Sequence, residues 1–70
     1  MSGTIKVKLS TGEVFEGRRA KVKDMKLVKD IKDDIDREIA LIGNLTQKTI
    51  EEIDELDFAD YGKLQQALLS

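Results

Sequence analysis

Four acids fall between positions 33 and 38, Asp33, Asp34, Asp36 and Glu38, and this run of oxygen ligands is the chain's first candidate for chemistry. A helix-loop-helix calcium loop needs ligands at alternating positions over about twelve residues, a central glycine and a terminal glutamate. From Asp30 to Glu38 the alternation is partial and no glycine intervenes, so the run reads as a solvated turn. Paired carboxylates serve as acid and base only in a pocket that drives their pKa values apart. Two Phe, one Tyr and no Trp leave little with which to wall one. The hydroxyls of Ser2, Ser10, Thr11 and Ser70 have no histidine to activate them, because the chain contains none. That absence also removes the usual zinc ligand, and the absence of Cys removes thiolate sites and disulfides. Gly3, Gly12, Gly17, Gly43 and Gly62 are too scattered to form a phosphate loop. No catalytic, cofactor-binding or metal-ligating set emerges, and the expectation is a protein that binds rather than an enzyme.

The elements that would position a binding surface can be read from periodicity. Ile5-Lys6-Val7-Lys8-Leu9 alternates apolar and charged residues, the pattern of a half-buried strand. Ser10-Thr11-Gly12 supplies a three-residue hairpin loop, with Gly12 free to take positive φ. Glu13 to Arg18 returns as a second strand in which Val14 and Phe15 face opposite ways, and Gly17 marks either a bulge or the strand end. A lone hairpin is marginal in water, so Ile5, Val7 and Leu9 must rest on helices. From Lys21 the period changes: Val22, Met25, Val28, Ile31 and Ile35 recur at helical spacing. The acids after Ile31 favour a break, with Asp34 or Asp36 capping a second helix to Gly43; one helix from Lys21 to Ile42 also satisfies the pattern. Gly43 and Asn44 stand where a left-handed terminator is wanted. Thr49-x-x-Glu52 and Asp57-x-x-Asp60 read as N-caps of a short helix burying Ile50 and Ile53 and of a last helix. The predicted fold is α+β: a short N-terminal antiparallel β-hairpin followed by three or four α-helices in a small bundle. It forms a single domain over residues 1–70, with the hairpin at 1–19 and the helical part at 21–69.

Size and charge narrow the function. Seventy residues hide only about 60% of the unfolded chain's surface, so help from self-association or a partner is expected. The longest apolar run, Ile39 to Ile42, is far short of the roughly 20 residues of a membrane span, and the N-terminus lacks the apolar core of a signal peptide. These features, with the missing Cys, point to the cytosol. Residues 1–32 carry nine basic and four acidic side chains, whereas residues 33–70 carry three and ten; the net charge is −2. The split suggests a basic face for an acidic partner, or halves that compensate each other within the fold or between subunits. Nucleic acid is disfavoured, because no aromatic interleaves Lys6, Lys8, Arg18, Arg19, Lys21 and Lys23 for base stacking.

The last helix carries Phe58, Tyr61, Leu64 and Leu68 at spacings of three or four, ending beside Leu69. Phe58 is expected in the core, packed on the hairpin or the middle helix. The Tyr61 hydroxyl needs water or a partner wherever its ring is buried. A fold this small has limited room to cover all the leucines, and a contiguous apolar remainder would be a binding surface.

In sequence the chain resembles the small tail assembly chaperones of tailed bacteriophages, the Mu-like type in particular. The likeness includes Arg18-Arg19-Ala20-Lys21-Val22-Lys23-Asp24-Met25 and Arg37-Glu38-Ile39-Ala40-Leu41-Ile42. It is closest at Asn44-Leu45-Thr46, Glu51-Glu52-Ile53-Asp54-Glu55-Leu56 and Ala59-Asp60-Tyr61-Gly62-Lys63-Leu64-Gln65. The family usually has proline where this chain has Ala20 and Ile50. The resemblance implies a protein made in the bacterial cytoplasm during phage morphogenesis and absent from the mature virion. It implies binding to the aggregation-prone tape measure protein until tail tube subunits polymerise around it, and often a longer, frameshifted form. Its partners would be the tape measure protein, the tail tube protein and further copies of itself, with no cofactor and no membrane. The candidate partner-binding residues, taken from helical spacing, are Phe58, Tyr61, Leu64, Leu68 and Leu69. A small DNA-binding or regulatory protein using the basic half, and a self-assembling structural subunit, are the alternatives.

Overall fold

Alternation in the first strand does what period two requires. In the computed structural model, which describes residues 4–69, β1 (Ile5–Lys8) pairs antiparallel with β2 (Val14–Gly17) in the register Ile5–Gly17, Lys6–Glu16, Val7–Phe15 and Lys8–Val14. Val7 and Phe15 face each other on the buried side, while Lys6 and Glu16 approach to 4.0 Å on the outer one. The Leu9 amide donates to Glu13 O and the Gly12 amide to Leu9 O, closing the expected loop with Gly12 at φ 93°. Gly17 is the strand end rather than a bulge, since the register is continuous up to it. It is a site of close approach: a Cβ there would lie 3.0 Å from Leu45 O and 3.1 Å from Thr46 Cγ2. The parts of the expected units at residues 1–3 and at Ser70 lie outside the described residues.

Four helices follow: α1 (Val22–Leu27), α2 (Asp34–Thr46), α3 (Ile50–Asp54) and α4 (Phe58–Leu69). The acidic stretch breaks the first helical pattern in two, and the cap is Asp33 rather than Asp34 or Asp36; its carboxylate accepts from the Ile35 and Asp36 amides. Because α1 stops after six residues, the face Val22–Met25–Val28–Ile31–Ile35 never forms. Val28 is buried, Ile31 is half-buried, and Val22, Met25 and Ile35 are exposed. The residue that α1 does bury is Asp24.

The terminator of α2 also lies further on than expected. The helix runs through Gly43 and Asn44 to Thr46, and Gln47 takes the left-handed conformation at φ 60° and ψ 39°. Gly43 instead lets the next segment close in, since a Cβ would sit 2.9 Å from Lys48 O. The Thr49–Glu52 capping box forms as expected: Thr49 Oγ1 accepts from the Glu52 amide at 3.2 Å, and Glu52 Oε1 accepts from the Thr49 amide at 2.8 Å. Ile53 is buried by α3, but Ile50 remains half exposed.

One apolar core unites the hairpin with the helices: Val7, Leu9 and Phe15 from the hairpin, Val28 from the turn after α1, Leu41, Ile42 and Leu45 from α2, Ile53 from α3, and Leu64 and Leu68 from α4. Ala20 donates its amide to Leu68 O at 2.9 Å and so ties the linker to the end of α4. A proline has no such donor.

Candidate protein-interaction surface

The inward face of α4 is set by Asp60, Leu64 and Leu68, which recur every four residues and are almost fully buried. This rotates the helix away from the face expected from Phe58, Tyr61, Leu64 and Leu68. Leu64 and Leu68, each with no exposed surface, belong to the subunit's own core. Tyr61 and Leu69 flank the core and are half-buried. Phe58, expected in the core, is 89% exposed, the most open large apolar side chain among the described residues. The five candidate residues therefore divide: two hold the fold together, two stand at its edge and one projects from it.

Asp60 explains the rotation. The Ser10 amide donates to Oδ1 at 3.0 Å and the Ser10 hydroxyl donates to Oδ2 at 2.8 Å, so the carboxylate clasps the hairpin loop. Lys63 stands 3.6 Å away. These bonds, the Ser10 amide first, hold the Asp60 pKa below the usual carboxylate range. In sequence an acid in a first helical turn reads as a solvated partner of the helix dipole. Only the serine 50 positions upstream, brought close by the hairpin, shows otherwise.

Asp24 has the same character. Arg18 donates to both its oxygens, at 2.7 and 2.8 Å, and the Lys21 amide donates at 2.8 Å. The guanidinium foremost, and then the amide, lower the Asp24 pKa to about 2. Both buried carboxylates are thus ionised and fully engaged within the fold, which suits fastening rather than proton transfer. Among the described residues no group of three or more acids could hold a metal ion, and no helix is long and apolar enough to cross a membrane.

Around Phe58 lies an apolar furrow formed by α2, α3 and α4, with Ile35, Ile39, Ile53, Leu56 and Tyr61 as walls and Asp54 on the rim. Ile35 is 66% exposed and lies in the first turn of α2. The Tyr61 hydroxyl donates to Glu38 Oε1 at 2.6 Å, and Gln65 Nε2 donates to the same oxygen at 2.8 Å. Burial, and secondarily the Glu38 carboxylate, raise the Tyr61 pKa well above its ordinary value, so the ring is neutral and pinned as one wall. Ile35 stands at helical spacing from Val22, Met25, Val28 and Ile31, and the break capped by Asp33 takes it out of that face and into the open first turn of α2. Exposed apolar groups beside a fixed aromatic wall can seat a partner's apolar side chains and offer no group for bond making.

No curated protein and no solved structure matches the chain. The family model described as phage tail assembly chaperone proteins, E, or 41 or 14, matches residues 6–69, which take in all of the hairpin but Ile5 and all four helices. With a site suited to protein contact and a family match over nearly its whole length, the chain belongs to the phage tail assembly chaperones.

Proposed function

We propose that this chaperone binds the tape measure protein in the host cytoplasm, keeps it soluble, and yields it to tail tube subunits as they polymerise around it. It is not carried into the mature virion. The observation that carries this reading is Phe58, 89% exposed above a furrow that also presents Ile35. A partner helix with an apolar stripe recognises such a surface by laying that stripe along it, and water is expelled from both. Of the five residues expected from helical spacing, Phe58 and Tyr61 belong to this surface, Leu64 and Leu68 support the helix from beneath and Leu69 lies outside it against the core, while Ile35 and Leu56 complete it.

Co-expression with the tape measure protein tests the reading. Wild-type chaperone should move that protein from the pellet to the soluble fraction and co-purify with it. The double variant Phe58→Asp/Ile35→Asp should leave it insoluble while keeping its own helical circular dichroism. Both positions lie in the first turn of a helix, where an acid is favoured, so the fold tolerates the change. Equal solubilisation by the double variant would show the furrow is not the binding surface, and failure of the wild type would remove the proposed function itself.

A further inference from the structure

Half of the acids in residues 33–70 take no part in holding the fold. There are ten, and Asp33, Asp34, Glu38, Glu52 and Asp60 each serve a cap, a cation or a hydrogen bond. Among the described residues the carboxylates of the other five, Asp36, Glu51, Asp54, Glu55 and Asp57, have no hydrogen-bond or ion-pair partner, and all five are exposed.

Asp54 is the one of these that lines the furrow around Phe58. It is the last residue of α3, and no basic residue stands in that turn. The C-terminal end of a helix carries partial negative charge on its open carbonyls, so an acid there works against the helix and a lysine would favour it. Nothing in the subunit offsets this. Asp36 adds charge of the same sign one position beyond Ile35 on α2, and Asp57 adjoins Phe58. The three cations of this half are committed elsewhere: Arg37 bonds to Ile31 O and Asp34, Lys48 lies over the Phe15 ring, and Lys63 stands beside Asp60. None of them lines the furrow, and Lys32, three positions before Ile35, is the nearest cation of the other half in sequence. Within the furrow Phe58 and Ile35 stand open, Ile39, Leu56 and Tyr61 are half-buried, and Ile53 is closed off. The surface is apolar at its centre and anionic at its rim.

We propose that the furrow selects a partner helix whose apolar stripe is bordered by lysine or arginine, with one such cation seated against Asp54. This rests on the reading that the furrow takes an apolar helical stripe, and it adds the chemistry of that stripe's flanks. The apolar centre supplies the affinity by expelling water. The charged rim fixes the register of the helix and turns away stripes bordered by acids. An acid at the end of α3 is then placed for the partner, at a small cost to the helix that bears it.

Three synthetic amphipathic helical peptides of about 18 residues test this against the purified full chain. They share one leucine stripe and carry lysine, glutamine or glutamate beside it; binding is read from fluorescence anisotropy. Wild type should bind the lysine peptide about three- to fivefold more tightly than the glutamine peptide at about 0.05 M salt, and the glutamate peptide more weakly than either. The preference should vanish at about 0.5 M salt, where screening is short-ranged. Asp54→Lys should melt no lower than wild type, bind the glutamine peptide within about twofold of it, and lose the preference for lysine. Phe58→Ala/Ile35→Ala should lose all three peptides. Equal binding of the three by wild type, lost in Phe58→Ala/Ile35→Ala, overturns the cation preference and leaves the furrow standing. A lysine preference that survives in Asp54→Lys, or lysine-peptide binding that survives in Phe58→Ala/Ile35→Ala, also overturns the proposal. Failure of wild type to bind any of the peptides removes the furrow reading and this inference with it.

Discussion

Asp24 and Asp60 do at the residue scale what a small core cannot do alone: each fastens two segments through a buried, ionised carboxylate. For Asp24 the folded pKa, about 2, lies below the ordinary 3.8, so the unfolded chain binds the proton more readily. Its contribution to stability is therefore complete above about pH 4 and is lost as pH falls toward 2. Asp60 and Glu52 are shifted in the same direction, by the Ser10 amide and the Thr49 amide first respectively. Thermal melts followed by circular dichroism should thus show a melting temperature that drops steeply between pH 4 and 2. Asp24→Asn should melt lower at neutral pH and show a shallower drop, because one of the protons that drives acid unfolding is gone. An unchanged acid slope in that variant would show that Arg18 does not sense the charge.

At the scale of elements, two chain reversals carry separable energies. The Thr49 capping box starts α3, whose first residue is Ile50 rather than a proline already set for a helix, so the threonine side chain fixes that boundary. Thr49→Ala should cost about 1 kcal/mol, read from a urea titration with unchanged slope. Gln47 ends α2 in a left-handed conformation that costs a non-glycine residue about 1–2 kcal/mol. Glycine returns part of that gain through the greater entropy of its unfolded chain. Gln47→Gly should therefore stabilise the protein by about 0.5 kcal/mol in the same titration. The neighbouring Gly43 behaves oppositely: Gly43→Ala should destabilise, because the added methyl meets the Lys48 carbonyl rather than a side chain that can swing away.

Over the whole molecule, the stabilising residues of α4 and those of the proposed binding surface lie on different sectors of the helix. A chain of this size holds only about 4–10 kcal/mol against unfolding. Leu64→Ala, deleting a side chain with no exposed surface, should remove about 2–5 kcal/mol of it. Phe58→Ala should change stability by no more than about 0.5 kcal/mol while abolishing retention of the tape measure protein. Urea titration and co-purification of both variants separate the two roles, and comparable unfolding by Phe58→Ala would place its ring in the core of the protein in solution.

Local chemistry was legible in the residues themselves. Alternation in Ile5–Leu9, the Gly12 loop, the change of period after Lys21 and the Thr49–Glu52 box all depend on interactions within a few positions, and each stands where it was expected. The lack of His and Cys by itself narrows the chemistry open to the chain. What only the tertiary structure decided is the rotation of each helix about its axis. Periodicity counts apolar residues, and it cannot know that Ser10 and Arg18 wait to satisfy Asp60 and Asp24. Once those acids are drawn inside by partners from the hairpin and its exit, α4 turns Phe58 outward and α1 turns Val22 and Met25 outward. A buried charge is tolerated only beside its partner, and that partner comes from elsewhere in the fold.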